Sequence, residues 1–188
     1  FFNRYFMIKE LLDEYLQTDE IPKLDKNNDP FWDPPEPQLI GRGYLKLLSL
    51  AYLLDNPAQV KLIGDGGERG RLMVNLIPTD ESGRKNLCEE SELTGNFIEE
   101  PEEILNLRLD FNVVIEGGNL PDDFCKNTYV EYEVLNEKNE KEKYHTNTVP
   151  GKNPNPLYNY SRHHTITRVS QEILDYLKEK NVDQMIVI

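Results

Sequence analysis

The fold is decided by LNLRLDFNVVIEGGNLPDDFCKNTYVEYEVL at 105–135 together with YHTNTVPGKNPNPLYNYSRHHTITRVSQEILDYLKEKNVDQMIVI at 144–188. Leu105, Leu107, Leu109, Phe111, Val113 and Ile115 alternate with Asn106, Arg108, Asp110, Asn112, Val114 and Glu116. That period of two predicts a strand with one buried face, ended by Gly117-Gly118. A second strand is expected at Tyr129–Leu135, a charged tip at 136–141, a third strand at Tyr144–Val149 and a fourth at Leu157–Ile166 after the GKNPNP turn. Short strands separated by turn residues argue for a mainly β chain folded as an antiparallel sandwich.

Upstream, Leu39–Leu54, Val60–Ile63 and Arg71–Pro78 read as three more strands, the last two joined by GDGGERG at 64–70. That turn lacks the G-K-[ST] ending of a phosphate loop, and no helical pattern follows it, so it reads as a hairpin tip. Residues 19–38 contain five prolines, which remove backbone donors and fix φ, so they form an extended linker. Phe31 and Trp32 within it are expected to anchor the linker in a neighbouring pocket. The opening residues 1–18 place Phe1, Tyr5, Ile8, Leu12 and Tyr15 at 4-3-4-3 spacing, the seam of an amphipathic, coiled-coil-type helix. A helix this short is marginal alone in water. It therefore packs on its own chain's sandwich or pairs with another chain.

The chain carries a net charge of −13, which argues against nucleic acid as a partner, since phosphates would be repelled. Two cysteines, Cys88 and Cys125, are too few for a disulfide framework or a zinc site. Nine of the acidic residues fall between 79 and 103, a stretch without periodicity. It reads as a solvated insert, or as an acidic surface that docks on something basic. Because the first residue is Phe, the chain is expected to be a fragment of something longer. No apolar run approaches the length of a membrane span.

His163 and His164 are neighbours on a predicted strand, so they point to opposite faces and cannot act as a pair. No Ser or Cys sits in a nucleophile-elbow context, and no catalytic residue is assigned. Arg162, His163, His164 and Arg168 make a small basic patch, read as a polar edge or as a contact for a lipid headgroup or a protein. Ser170 is placed to cap a short C-terminal helix whose apolar face is Val169, Ile173, Leu174 and Leu177.

The order of parts resembles a C2-type β-sandwich. An opening strand ends in GGNLP, NTYVEYEVL stands where such domains carry S-D-P-Y-V, NPNPLYNYSR stands where they carry N-P-x-W/F-N, and Met185–Ile188 is the closing apolar strand. More narrowly, residues 29–188 are similar to the C2-like region in the stalk of kinesin-3 motors, where a helix of the form VSQEILDYLKE precedes the last strand and a DPF-W/Y segment precedes an LIG strand, as in DPFWDPPEPQLIG at 29–41. The DPFWDPPEP wording leans toward the kinesin-like branch associated with mitochondria and cilia.

The resemblance implies a non-catalytic stalk or tail piece of a cytoplasmic, microtubule-associated motor, with ATP hydrolysis in a motor domain elsewhere. Implied roles are cargo attachment, autoinhibitory packing against the motor and forkhead-associated domains, or both. Implied partners are those domains, a coiled-coil partner chain, and an organelle or vesicle cargo. Asp122 and Asp123 lie where calcium-binding C2 domains place carboxylates, but Asn127 replaces an expected Asp and Lys126 adds positive charge, so neither a metal nor any other cofactor is expected. The competing readings are a lipid-binding module without calcium dependence and a passive structural spacer.

Overall fold

The computed structural model describes residues 2–21, 24, 29–31, 36–136, 138, 140–178 and 185–187, with 2, 3 and 185–187 described by backbone alone. The chain divides into two compact units, Phe1–Gln38 and Leu39–Ile188.

In the first unit, helix α1 spans Phe2–Thr18. It contains no Gly or Pro to interrupt the i→i−4 ladder. Its end is marked by Asp19, which takes a left-handed φ of 56° while its N–H still donates to Tyr15 O at 2.8 Å.

The second unit begins with strand β1 (Arg42–Tyr44), helix α2 (Leu48–Ala51) and the hairpin β2 (Asn56–Gly64) and β3 (Gly67–Thr79). The single long strand expected over Leu39–Leu54 is therefore corrected to three strand residues followed by a helical turn. After Ile40 that run has no β-branched residue and is rich in Leu, which favours helix. Leu50 and Ala51 are fully buried. The GDGGERG segment turns through Asp65-Gly66, with Gly66 at φ 96° and Gly64 paired to Gly67. Gly70 serves close approach, because a Cβ there would lie 2.2 Å from Asn119 O.

Residues 79–103, read from sequence as an unperiodic insert, contain helix α3 (Leu87–Thr94) and a 3₁₀ turn at Pro101–Ile104. The Asn86 side chain accepts from Cys88 N and Glu89 N, Glu89 and Glu90 lie at the positive end of the helix, and Gly95 closes it at φ 73°. Pro101 and Ile104 are buried. Local capping, rather than an apolar stripe, is what orders this stretch.

Strand β4 (Leu109–Asn119) follows, then β5 (Lys126–Thr128), β6 (Glu131–Leu135), β7 (Lys141–His145), β8 (Val149–Lys152), β9 (Leu157–Ile166), helix α4 (Gln171–Lys178) and β10 (Met185–Val187). β4 starts four residues later than its alternation suggests, since Asn106 adopts φ 63°, and it runs on through Gly117-Gly118 rather than stopping there. Eight strands form one antiparallel sheet in the order β7-β6-β10-β1-β2-β3-β4-β9, while β5 and β8 make a separate ribbon. Backbone pairing thus runs unbroken instead of dividing into two sheets. The C-terminal β10 is inserted between β6 and β1, pairing Ile186 with both Tyr132 and Gly43.

The core takes Val60 and Leu62 from β2, Leu72, Val74 and Leu76 from β3, and Leu109, Phe111, Val113 and Ile115 from β4. Helices α2 and α4 pack against each other at one end. There the expected apolar face of α4, Val169, Ile173, Leu174 and Leu177, is buried, and Ser170 Oγ accepts from Ile173 N at 3.2 Å.

Candidate functional site

Of the α1 seam, Tyr5 is 58 % exposed and Leu12 54 %, Tyr15 is also exposed and Ile8 is half-buried. Phe1 lies outside the described residues. Phe6 and Leu16 are exposed as well, so the apolar surface is wider than the heptad seam. Exposed rings keep apolar area in water, the condition that contact with another segment relieves.

Phe31 is 74 % exposed, with its N–H donating to Asp29 Oδ1 at 2.8 Å. The Asp29 side chain thereby fixes a local turn at this point of the linker. Trp32, the companion of Phe31, lies outside the described residues.

The basic patch read on Arg162, His163, His164 and Arg168 does not persist as one. His164 is buried and stacks on Phe111 with centroids 5.4 Å apart. Burial pushes its pKa down to about 4, with the charges of Arg162 and His163 acting in the same direction. A neutral core imidazole contributes no positive surface. Arg162 places its guanidinium 4.3 Å from the Tyr144 ring centroid, a cation–π contact. Arg168 donates through Nε and Nη2 to Asn106 Oδ1. The expected opposition of the two histidines holds, because His163 faces outward.

His164 belongs to an aromatic cluster joining the two ends of the sheet. The Tyr132 hydroxyl lies 2.9 Å from His164 Nε2 and 3.2 Å from the Tyr160 hydroxyl. Tyr144 packs edge-on to His164 and stacks on Tyr132. Burial raises the Tyr144 phenol to about 12, helped by its bond to Glu142. β7 and β9 are the sheet's outer strands, so side chains, not backbone bonds, bring its ends together.

On the outer face of β4 and β9 lies a polar network that was not singled out from sequence. The Asp110 carboxylate accepts from Arg108 Nε at 2.6 Å, Arg108 Nη2 at 3.1 Å and Thr165 Oγ1 at 2.6 Å, and His163 Nε2 is 3.3 Å away. Burial pushes the Asp110 carboxyl up, but the Arg108 and Thr165 bonds and the Arg108 and His163 charges outweigh it, so its pKa is lowered. Arg108 Nη1 also reaches Glu81, and Asn112 Nδ2 donates to Gly83 O. The network pins the 80–86 loop. Its signal in the sequence is Arg108-x-Asp110, two charges of opposite sign on one strand face.

Asp122 and Asp123 are exposed, and Asn127 Oδ1 is occupied in accepting from Gly151 N at 2.7 Å. Among the described residues no three His, Cys, Asp or Glu side chains converge as a metal site would require. A cleft of about 810 Å³ opens over the ends of β3 and β4, floored by Gly117 and Gly118 and flanked by Met73 and Leu157. Among the described residues no helix is long and apolar enough to cross a membrane.

No family model matches the chain. Over 183 residues, 95 % of its length, it is 30 % identical to kinesin-like protein KIF28P of Homo sapiens. Its homologues are kinesin-like proteins. Kinesin-like protein KIF28 of Rattus norvegicus is 29 % identical over 182 residues, and that of Mus musculus 28 % over 182, each covering 94 % of the chain. With so little of the chain outside these matches, both units share in the kinesin-like similarity. The chain spans only 18 %, 16 % and 17 % of the lengths of these kinesin-like relatives.

Proposed function

We propose that this chain is a non-catalytic stalk or tail region of a kinesin-3-type, microtubule-associated cytoplasmic motor, and that its C2-like β unit carries a helix that docks on another segment. The observation that carries the reading is the uncovered apolar surface of α1, with Tyr5 and Leu12 each more than half exposed. Kinesin-like relatives matching nearly the whole chain support it. The docking partner is the motor and forkhead-associated region of the same protein, giving autoinhibition, or a cargo-bound coiled-coil chain.

The test adds the chain in trans to the parent motor and forkhead-associated segment and measures microtubule-stimulated ATPase. Dose-dependent inhibition that is lost in Tyr5→Asp and Leu12→Asp supports the regulatory contact. Inhibition unchanged by both variants would move the contact away from α1. No inhibition at tens of micromolar, on the order of −6 kcal/mol of binding, would rule out the autoinhibitory role.

A further inference from the structure

Helix α3 is held at both ends and bare along its outer side. At its start, Asn86 caps the helix and also donates to Asp55 Oδ2 at 2.9 Å, and Lys85 pairs with Glu90 at 2.6 Å. Past its end, Pro101 and Ile104 return the chain to the core. Between these anchors Leu93 is 88 % exposed, more than any other large apolar side chain among the described residues, and Phe97 is 50 % exposed. A single exposed Leu is ordinary. Here two apolar groups flank a fixed left-handed turn at Gly95, and a trough of about 580 Å³ opens beside Leu93, lined by Arg84, Glu89 and the Lys85–Glu90 ion pair.

Charge decides what fits. Glu89, Glu92 and Glu99, close in sequence to Leu93 and Phe97, are likewise exposed, and none of them is in an ion pair among the described residues. A second copy of the chain would bring its own net charge of −13, and an anionic membrane would be repelled in the same way. A segment pairing large apolar side chains with Lys or Arg satisfies both halves of the surface. Because the helix is already formed, little ordering cost opposes binding. We propose that the outer side of α3 and its closing turn, with Leu93 and Phe97 at the centre and Glu89, Glu92 and Glu99 at the rim, is a docking surface for a basic amphipathic segment of a partner protein. It is a contact additional to that of α1.

The probe is a fluorescent amphipathic helical peptide of Lys and Leu, titrated with the chain of residues 1–188 and followed by anisotropy, beside its Glu/Leu counterpart. Micromolar binding of the Lys/Leu peptide alone is expected. Leu93→Ser, alone and with Phe97→Ser, weakens it roughly tenfold with an unchanged melting temperature. Glu89→Lys with Glu92→Lys weakens it to a similar degree, whereas Asp122→Lys with Asp123→Lys, the same charge change elsewhere, alters it less than about threefold. Equal weakening by both charge reversals, with no effect at Leu93, would show diffuse attraction to an acidic chain and overturn the proposal. So would no binding at about 100 μM, or retention on phosphatidylserine vesicles in place of the peptide. Variants of Tyr5 and Leu12 leave this binding intact, so its failure is distinguishable from failure of the α1 contact.

Discussion

The Tyr132 hydroxyl and His164 Nε2, 32 residues apart in sequence, sit 2.9 Å from each other in the interior. Tyr132 lies on β6 and His164 on β9, strands near opposite ends of the eight-stranded order. The bond joins two strands that no backbone ladder pairs directly. Removing the hydroxyl by Tyr132→Phe leaves the imidazole without this partner. The expected loss is about 1–3 kcal/mol of unfolding free energy, read by urea denaturation. A change under a few tenths would mean that the contact contributes nothing to the seam.

Acid should loosen the same seam. The folded-state pKa of His164 is lowered from 6.5 to about 4, so the folded protein takes up this proton less readily than the unfolded chain. The associated stability is intact above the unfolded value and falls as pH drops from there toward the folded one. By mildly acidic pH the loss from this residue is about 2–3 kcal/mol. His164→Phe, which preserves an aromatic ring over Phe111, should flatten the dependence of the urea midpoint on pH within that window. An undiminished slope in this variant would assign the effect to other groups.

Asp110 titrates in the same sense. Its pKa is lowered on folding, so it stabilises the protein above the ordinary carboxylate range and loses that contribution as pH falls through its folded value. At neutral pH, Asp110→Ala deprives Arg108 and Thr165 of their shared acceptor and should cost about 1–3 kcal/mol. Because Arg108 also holds Glu81, the 80–86 loop should become more sensitive to limited proteolysis. An unaltered cleavage pattern would separate the loop from the network.

Two glycines of one hairpin should respond differently to the same substitution. Gly66→Ala meets no atom within 4 Å and is limited to the cost of a positive φ, about 1 kcal/mol. Gly70→Ala puts a methyl 2.2 Å from Asn119 O, a backbone atom, and should cost about 3 kcal/mol or more. Equal melting temperatures for the two variants would contradict the close approach of β3 to β4.

Capping supplies a further contrast. Asn86→Ala removes both the α3 cap and the bond to Asp55, and should lower helix protection in hydrogen exchange by about 1 kcal/mol. Asn96→Ala, beyond the helix end, should leave α3 exchange unaltered.

Signals carried by a few adjacent residues were legible in the chain before any packing was known. The alternation of Leu109, Phe111, Val113 and Ile115, the Gly-rich turn at 64–70 and the apolar face of α4 all rest on backbone periods and glycine sterics, which neighbours impose locally. The Asn86 and Gly95 caps were equally local and would have marked α3, had its acidic composition not masked them.

Tertiary structure alone decided the rest. β10 enters between β6 and β1, a pairing that depends on long-range register and has no local sign. His164 and its neighbour His163 have the same chemistry in sequence, yet one is a neutral core ring and the other faces outward. Whether a histidine keeps its charge depends on what the opposite strand places over it, and here that is Phe111, Tyr132 and Tyr144.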